Sequence, residues 1–422
     1  MNGQIEDTPA PLGTASRGRG AGRRQVLAAL SEHGPGSRVD LGRRTGLSSS
    51  AISALTQELL AEGLLDERPD SRQERRRGRP AYLLSLRAPE GVVAGIDIGN
   101  THIRVAVGEV RGPVLAERCV PLARAQEPED ALRRAATLVG ETLAEAGHDL
   151  GDVRIAVVGV PVPLDERTGR VADNNIFPLW VGRQPGVELG DLLGYQGGHL
   201  GGDPGGTRLV VENDANLGAL GEQRHGAGAT GDASPTSGSL VYLKLATGIG
   251  AGLVLGGRLF RGEGGTAGEI GHVQVDPAGV LCRCGSRGCL ETVVSVPRLL
   301  SALAPVTRDD LDADELGRLV REGHPGAVRV VADAGRTVGQ VLASLVTVLN
   351  PGLLLVGGHL ASVNELLAEH VASAVQHWAQ PAAAARVVVR ASTLGERSEV
   401  LGALALAGDL AVEHQRHLLV PR

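Results

Sequence analysis

The sequence predicts an α/β protein: a winged helix-turn-helix at the N-terminus, then a two-lobed α/β body with a metal-pinned loop. Three observations predict it. Short apolar stripes at helical spacing, opened by serines and closed by glycines, fill residues 21–63. From Gly91 the pattern changes to buried-strand runs alternating with helical stripes, and a strand-strand-strand-helix-strand order recurs loosely from Leu240. His272, Cys282, Cys284 and Cys289 stand at spacings of 10, 2 and 5, a donor set for one tetrahedral metal ion.

Composition narrows the class. At 422 residues the chain suits two or three domains. With 42% hydrophobic residues but only two Trp, three Tyr and two Phe, its core must be aliphatic. Lys244 is the only lysine among 42 basic residues, which reads as the coding bias of a GC-rich genome and weakens any single arginine as a functional signal. No apolar run reaches the roughly 18 residues of a spanning helix, and the N-terminus lacks an apolar signal core. With four cysteines, three of them inside eight positions, the chain reads as a cytoplasmic metal binder rather than a disulfide scaffold. Charge is uneven: residues 17–87 hold 14 Arg against 8 acids although the whole chain is at −6. A basic head on an acidic body points to a polyanion as the head's partner.

Residues 1–20, rich in Gly, Pro, Ser and Thr, read as a disordered leader. In residues 21–88, Val26, Leu27 and Leu30 form a first stripe, Ser37 can cap a helix carrying Val39 and Leu41, and Gly46 breaks it with Leu47 packing across the turn. Ser48 can cap the next helix, whose core face is Ile52, Leu55 and Leu59 and which Gly63 ends. That leaves Ser49, Ser50, Ser53 and Gln57 outward, small polar side chains suited to phosphates and base edges in a major groove. Leu64-Leu65 and Tyr82–Leu86 read as two strands around an arginine-rich loop, in which Arg77 and Arg79 are placed to reach DNA. Each arginine–phosphate contact adds about 0.9 to the salt slope of binding. The competing reading is a three-helix protein-interaction module.

In the body, Val92–Ile98, Ile103–Val107, Val114–Cys119 and Val153–Val160 read as strands, with a helix through Leu132, Ala136, Val139 and Leu143. The glycine turns Gly99-Asn100-Thr101 and Thr247-Gly248 can offer backbone N–H groups and hydroxyls to phosphate. Gly357-Gly358, after an apolar strand, leaves room for a base or ribose. In Glu212-Asn213-Asp214-Ala215-Asn216, Asp214 can take a proton from a hydroxyl and Asn213 can bond its neighbours, but both residues are also good helix caps. The tetrad His272, Cys282, Cys284 and Cys289 suits a closed structural zinc site in a loop freed by Gly285 and Gly288; a reactive thiol cluster is the alternative. Cys119, far away, reads as a small buried hydrophobe. Glu269 and Glu291 flank the tetrad, where a pinned loop can aim both at one ligand.

These residues resemble the ROK family of sugar-responsive repressors and sugar kinases over about residues 22–415. The most specific segments are Gly268-Glu269-Ile270-Gly271-His272 and Cys282-Arg283-Cys284-Gly285-Ser286-Arg287-Gly288-Cys289-Leu290-Glu291. The resemblance implies an actin/hexokinase-like (RNase H-like) sugar kinase fold for residues 89–422. Its first lobe would be about 89–211 plus a helix at about 396–415, and its second lobe about 212–395. It implies sugar contacts from Asn175 (or Asn174), Asn213, Asp214, Glu269, His272 and Glu291, with Asp214 as the base in the kinases. It also implies phosphate contacts from Asp97, Gly99, Thr101, Thr247, Gly248, Gly357 and Gly358. Departures stand at Asn100 and His102, where kinases carry Gly and Lys, at Ala246 in place of Gly, and at Pro161-Val162 in place of Pro-Gly.

The repressor branch adds a winged head, so the expected function is a sugar-responsive DNA-binding regulator, with operator DNA and a sugar effector as partners and a homodimer or homotetramer as assembly. The alternative is an ATP- and Mg²⁺-dependent sugar kinase with a regulatory head. A zinc-stabilised oligomerisation platform without ligand is a third reading, against which the paired acids stand.

Overall fold

The computed structural model describes residues 14–69, 82–122, 127–171, 178–195, 197–199, 208–229, 238–307, 311–360 and 363–419. The chain divides into two compact units, Met1–Glu90 with Val412–Arg422, and Gly91–Ala411.

The first unit carries α1 (Thr14–His33), α2 (Arg38–Thr45), α3 (Ser49–Ala61), β1 (Leu65–Pro69) and β2 (Tyr82–Leu86). Local chemistry fixes the helix ends. Ser37 and Asp40 form a reciprocal capping box at α2, and Gly46 ends that helix in the left-handed region. Ser48 Oγ accepts from Ala51 N at α3. Val26, Leu27, Leu30, Leu41, Ile52, Leu55, Leu59, Leu65 and Leu84 make one aliphatic core. Strands β1 and β2 pair antiparallel from Leu65↔Leu86 to Pro69↔Tyr82, giving the two-stranded wing. Two expectations change. Helix α1 begins at Thr14, inside the stretch expected to lack structure, because adding residues to an established helix costs far less than starting one. Val39 is 63% exposed, since α2 turns only Leu41 inward. Arg77 and Arg79 lie outside the described residues.

The second unit repeats one plan. Its first sheet has the order β5-β4-β3-β6-β8-β7, from β3 (Val92–Ile98), β4 (His102–Glu109), β5 (Val114–Pro121), β6 (Val153–Val160), β7 (Gly197–His199) and β8 (Leu209–Asn213). Helices α4 (Pro128–Glu145) and α5 (Pro185–Leu193) bury their apolar stripes against it. Helix α6 (Asp214–His225) leads to a second sheet of order β11-β10-β9-β12-β13. Its strands are β9 (Leu240–Leu245), β10 (Ile249–Leu255), β11 (Arg258–Leu259), β12 (Leu353–Gly358) and β13 (Val388–Ala391). The short α7 (Glu291–Val294), then α8 (Val296–Leu303), α9 (Ala313–Arg321), α10 (Pro325–Leu349), α11 (Asn364–Trp378) and α12 (Pro381–Ala384) complete this lobe, with α10 and α11 covering its sheet. In both sheets an antiparallel meander is extended by parallel strands.

Helix α13 (Ser398–Leu419) starts on the first lobe: Val400 O stands 2.6 Å from where a Cβ on Gly95 of β3 would be. It crosses α6 at Gly221 and Gly402, whose missing side chains let the two backbones meet. The helix expected at about 396–415 is present as one continuous element, Ser398–Leu419. Cys119 is exposed on the edge strand β5, not buried as its isolation in sequence suggested: alternate positions of an edge strand face out. Among the described residues no helix is long and apolar enough to cross a membrane.

Candidate ligand cleft and metal loop

A cleft is lined by residues from both lobes of the second unit. Its lining includes Gly99 and Asn100 from the first glycine turn, Thr247 and Gly248 from the second, Asn213 and Asp214, and Glu269, His272 and Glu291. The two turns touch: Asn100 Nδ2 donates to Thr247 Oγ1 at 2.7 Å. Their likeness in sequence is therefore matched by a shared place.

Asn213 fulfils the capping reading. Its Oδ1 accepts from Ala215 N at 3.0 Å and Asn216 N at 3.3 Å, which opens α6 beside the cleft. Glu212 fixes the segment from below. Its Oε1 accepts from Asn213 N and Asn216 Nδ2, and its Oε2 accepts from Arg261 Nε at 2.7 Å. Asp214 is nearly buried; its Oδ1 accepts from Ala215 N at 2.7 Å and its Oδ2 from Lys244 Nζ at 2.8 Å. Lys244 Nζ also lies 2.9 Å from Glu399 Oε1 of α13, off the line of a hydrogen bond. Burial works against the Lys244 charge, but Asp214 and Glu399 more than reverse that, so its pKa stands well above the ordinary lysine value. Burial pushes the Glu399 carboxyl up to about 7 in spite of Lys244.

Beneath the first turn, Asp97 is fully buried and bonds His102 Nε2 at 2.8 Å. Burial opposes charge at both groups, yet the bond between them prevails, holding the carboxyl low and the imidazole high. His359, whose ring centroid is 5.4 Å from that of His102, is held neutral: burial first, then the charge of Lys244, bring it down to about 4.

On the opposite wall Glu269 faces two further acids. Burial, then Asp214 and Glu291, push its carboxyl up to about 7. Its Oε2 lies 3.7 Å from His272 Nε2, the ring edge away from the cysteines. Glu291 Oε1 accepts from both Arg283 Nε (3.0 Å) and Arg283 Nη2 (2.8 Å), and its Oε2 accepts from Ile249 N. Arg283 sits between two of the loop cysteines, so the loop is tied to the cleft wall through Glu291.

The donor atoms of His272, Cys282, Cys284 and Cys289 all lie within 4.8 Å of one another. His272 Nδ1 and Cys282 Sγ are 3.6 Å apart, as are the Cys284 and Cys289 sulfurs, separations that fit four donors around one small cation. The loop turns at Gly285 (φ 87°) and Gly288 (φ 62°), conformations that favour glycine.

Asn213, Asp214, Glu269, His272 and Glu291 are thus together, with Gly99, Thr247 and Gly248. Asp97 lies under the cleft and Thr101 beside it, outside its lining. Gly357 and Gly358 do not line it either; the space beside them is filled by Tyr242 and by Leu245 O of β9, so the close approach they allow is to the protein's own neighbours. Asn174 and Asn175 lie outside the described residues. Sequence reasoning missed Lys244, Glu399, His359 and Arg283 in the cleft and its wall. Only Lys244 carried a signal, its being the one lysine.

The ROK family profile matches residues 205–409, and the MarR family profile matches residues 22–76. The ROK hexokinase of Thermus thermophilus is 32% identical, with 76% of this chain and 99% of that one covered and a TM-score of 0.57. The chain belongs to the ROK family. The structure of a ROK transcriptional regulator, a homologue of the E. coli MLC protein, matches this ROK chain over 95% of its length and 98% of the other, with a TM-score of 0.71 and 24% identity, a likeness of fold. The xylose repressor of Caldicellulosiruptor bescii is 26% identical over 384 residues, 88% of this chain and 91% of that protein.

Proposed function

We propose that the protein is a sugar-responsive, DNA-binding transcriptional repressor. The observation that carries this is the co-occurrence, in one chain, of a winged helix-turn-helix and a ROK body, in a relative covered over 91% of its length and named a xylose repressor. Ser49, Ser50, Ser53 and Gln57 are all exposed on α3, the side suited to a major groove, and Arg77 and Arg79 are the further DNA contacts of this reading. The cleft takes a sugar: Asn213, Asp214, Glu269, His272 and Glu291, with Asn175, contact its hydroxyls. A neutral polyol matches a wall of carboxylates that accept hydrogen bonds.

Zinc is the ion that the three thiolates and one imidazole fit. His272, Cys282, Cys284 and Cys289 hold it, and with four protein donors it supplies structural cohesion to the loop, not an open position for chemistry. Arg283 and Glu291 carry that rigidity to the cleft. Sugar binding shifts the balance between domain arrangements with differing operator affinity, by a coupling of about 1–3 kcal/mol. Two half-sites call for a symmetric dimer or tetramer.

A gel-shift titration of the full chain on its own upstream DNA, across a panel of monosaccharides, amino sugars and their phosphates, tests this. Salt-sensitive, sequence-selective binding that one sugar alters is the expected outcome; no selective binding under any condition refutes it. The kinase reading is favoured by the 32% identity to a hexokinase, with Asp214 as base and ATP with Mg²⁺ at Asp97, Gly99, Thr101, Thr247 and Gly248. Sugar-dependent ATP turnover that Asp214→Asn abolishes would establish it.

A further inference from the structure

Phosphoryl transfer needs divalent cations, held by carboxylates and bridging the phosphates. In this cleft two carboxylates, Asp214 at the start of α6 and Glu399 at the start of α13, already flank a cation. Lys244 Nζ lies 2.8 Å from Asp214 Oδ2 and 2.9 Å from Glu399 Oε1. Its charge also acts on Asp97, which is fully buried and keeps an oxygen with no hydrogen-bond partner. We propose that Lys244 is a built-in cation that takes the place of a divalent metal ion between Asp214 and Glu399, so that the cleft binds its ligand without metal–nucleotide chemistry.

The residue type supports this. Everywhere else the chain uses arginine, 41 times. A guanidinium is a broad planar fork, whereas an ammonium is a compact point charge with three donors. The latter seats its charge directly between acids on α6 and α13, whose helices meet at Gly221 and Gly402. The ammonium has little else to do there: Lys244 is 6% exposed and its ion-pair partners are Asp214 and Glu399. A metal ion at the same oxygens would have to displace it or sit beside a like charge. The inference stands whether or not the cleft's ligand is a sugar.

The probe is Mn²⁺ alone, added to the full chain with its cysteine loop zinc-loaded and followed by electron paramagnetic resonance. Lys244→Met keeps the length of the side chain and removes the charge. It is expected to gain a Mn²⁺ site about tenfold or more tighter than any in the wild type, and adding Asp214→Asn should abolish it. A folded Lys244→Met chain that gains no site, or a wild-type chain whose Mn²⁺ binding Asp214→Asn abolishes, overturns the proposal. The wild type gives a second reading that does not depend on the variant folding. With ¹⁵N-lysine as the only label, Lys244 gives a single ammonium signal. Mn²⁺ should leave it sharp; strong paramagnetic broadening would place the metal beside Lys244 and overturn the inference.

Discussion

His359 shows how one buried side chain ties the cleft to pH. Its imidazole titrates near 6.5 when unfolded and at about 4 when folded, because burial and the Lys244 charge disfavour the imidazolium. Between those values the unfolded chain binds more protons, so this residue's contribution falls as pH drops from 6.5 towards 4. Glu399 acts oppositely: its carboxyl, at about 7 instead of 4.5, takes up a proton in the folded state first, so its contribution rises as pH drops below 7. Removing His359 leaves the Glu399 effect unopposed. The stability of His359→Asn relative to the wild type, from urea midpoints, should therefore increase between pH 6.5 and 4; a flat difference would mean the histidine is not desolvated. At the other wall, Arg283→Met is expected to weaken sugar binding about tenfold or more with zinc content unchanged, since it frees the Glu291 carboxylate from its double hydrogen bond. Isothermal titration and metal analysis on the same sample check both halves. At this scale the metal tetrad and the Glu269–His272 spacing were legible in sequence, because their members are neighbours along the chain. The partner of Asp214 was not: Lys244 follows it by 30 residues and Glu399 by far more.

Elements were read well where local chemistry decides them. Ser37 and Ser48 cap α2 and α3 as their positions suggest, because a cap needs only the next helical turn. Ser48→Ala should cost about 1 kcal/mol of stability in the first unit, seen as a lower thermal midpoint, and weaken operator binding with it. The apolar runs Val92–Ile98 and Val153–Val160 are strands at those bounds, since a strand buried on both faces along most of its length reads as a mostly apolar run rather than an alternation. Gly268 illustrates what a pattern hides. It has φ 99°, and a Cβ there would stand 1.9 Å from Ala251 O of β10. Gly268→Ala should therefore destabilise by about 1–3 kcal/mol or more and, by shifting Glu269, lower ligand affinity. Denaturant titration with calorimetry on the same variant measures the two effects. Where α1 begins was illegible, as Gly20 and Gly22 argue against a helix and propagation from the packed part outweighs them.

For the whole molecule, the proposed coupling is reciprocal. If a sugar changes operator affinity by about 5–150-fold, operator DNA must change sugar affinity by the same factor. Fluorescence anisotropy of labelled operator with and without sugar, and calorimetry of sugar with and without DNA, measure the factor; an operator affinity unchanged at saturating sugar would rule the coupling out. Stripping the metal with a chelator should lower the thermal midpoint by about 2–4 °C per kcal/mol lost. Sugar affinity should fall with it, because the loop carries His272 and holds Glu291. By itself the sequence determined the capped helices of the head, the aliphatic strands of a duplicated α/β body and the four metal donors, each encoded within a few turns or strand lengths of chain. Only the tertiary structure decided that Asn100 meets Thr247, that Asp97 lies unsolvated beneath the cleft, and that the lone lysine lies between Asp214 and Glu399. Charges buried together are brought there by the packing of α6, β9 and α13, and no spacing along a chain records which distant backbones will close over them.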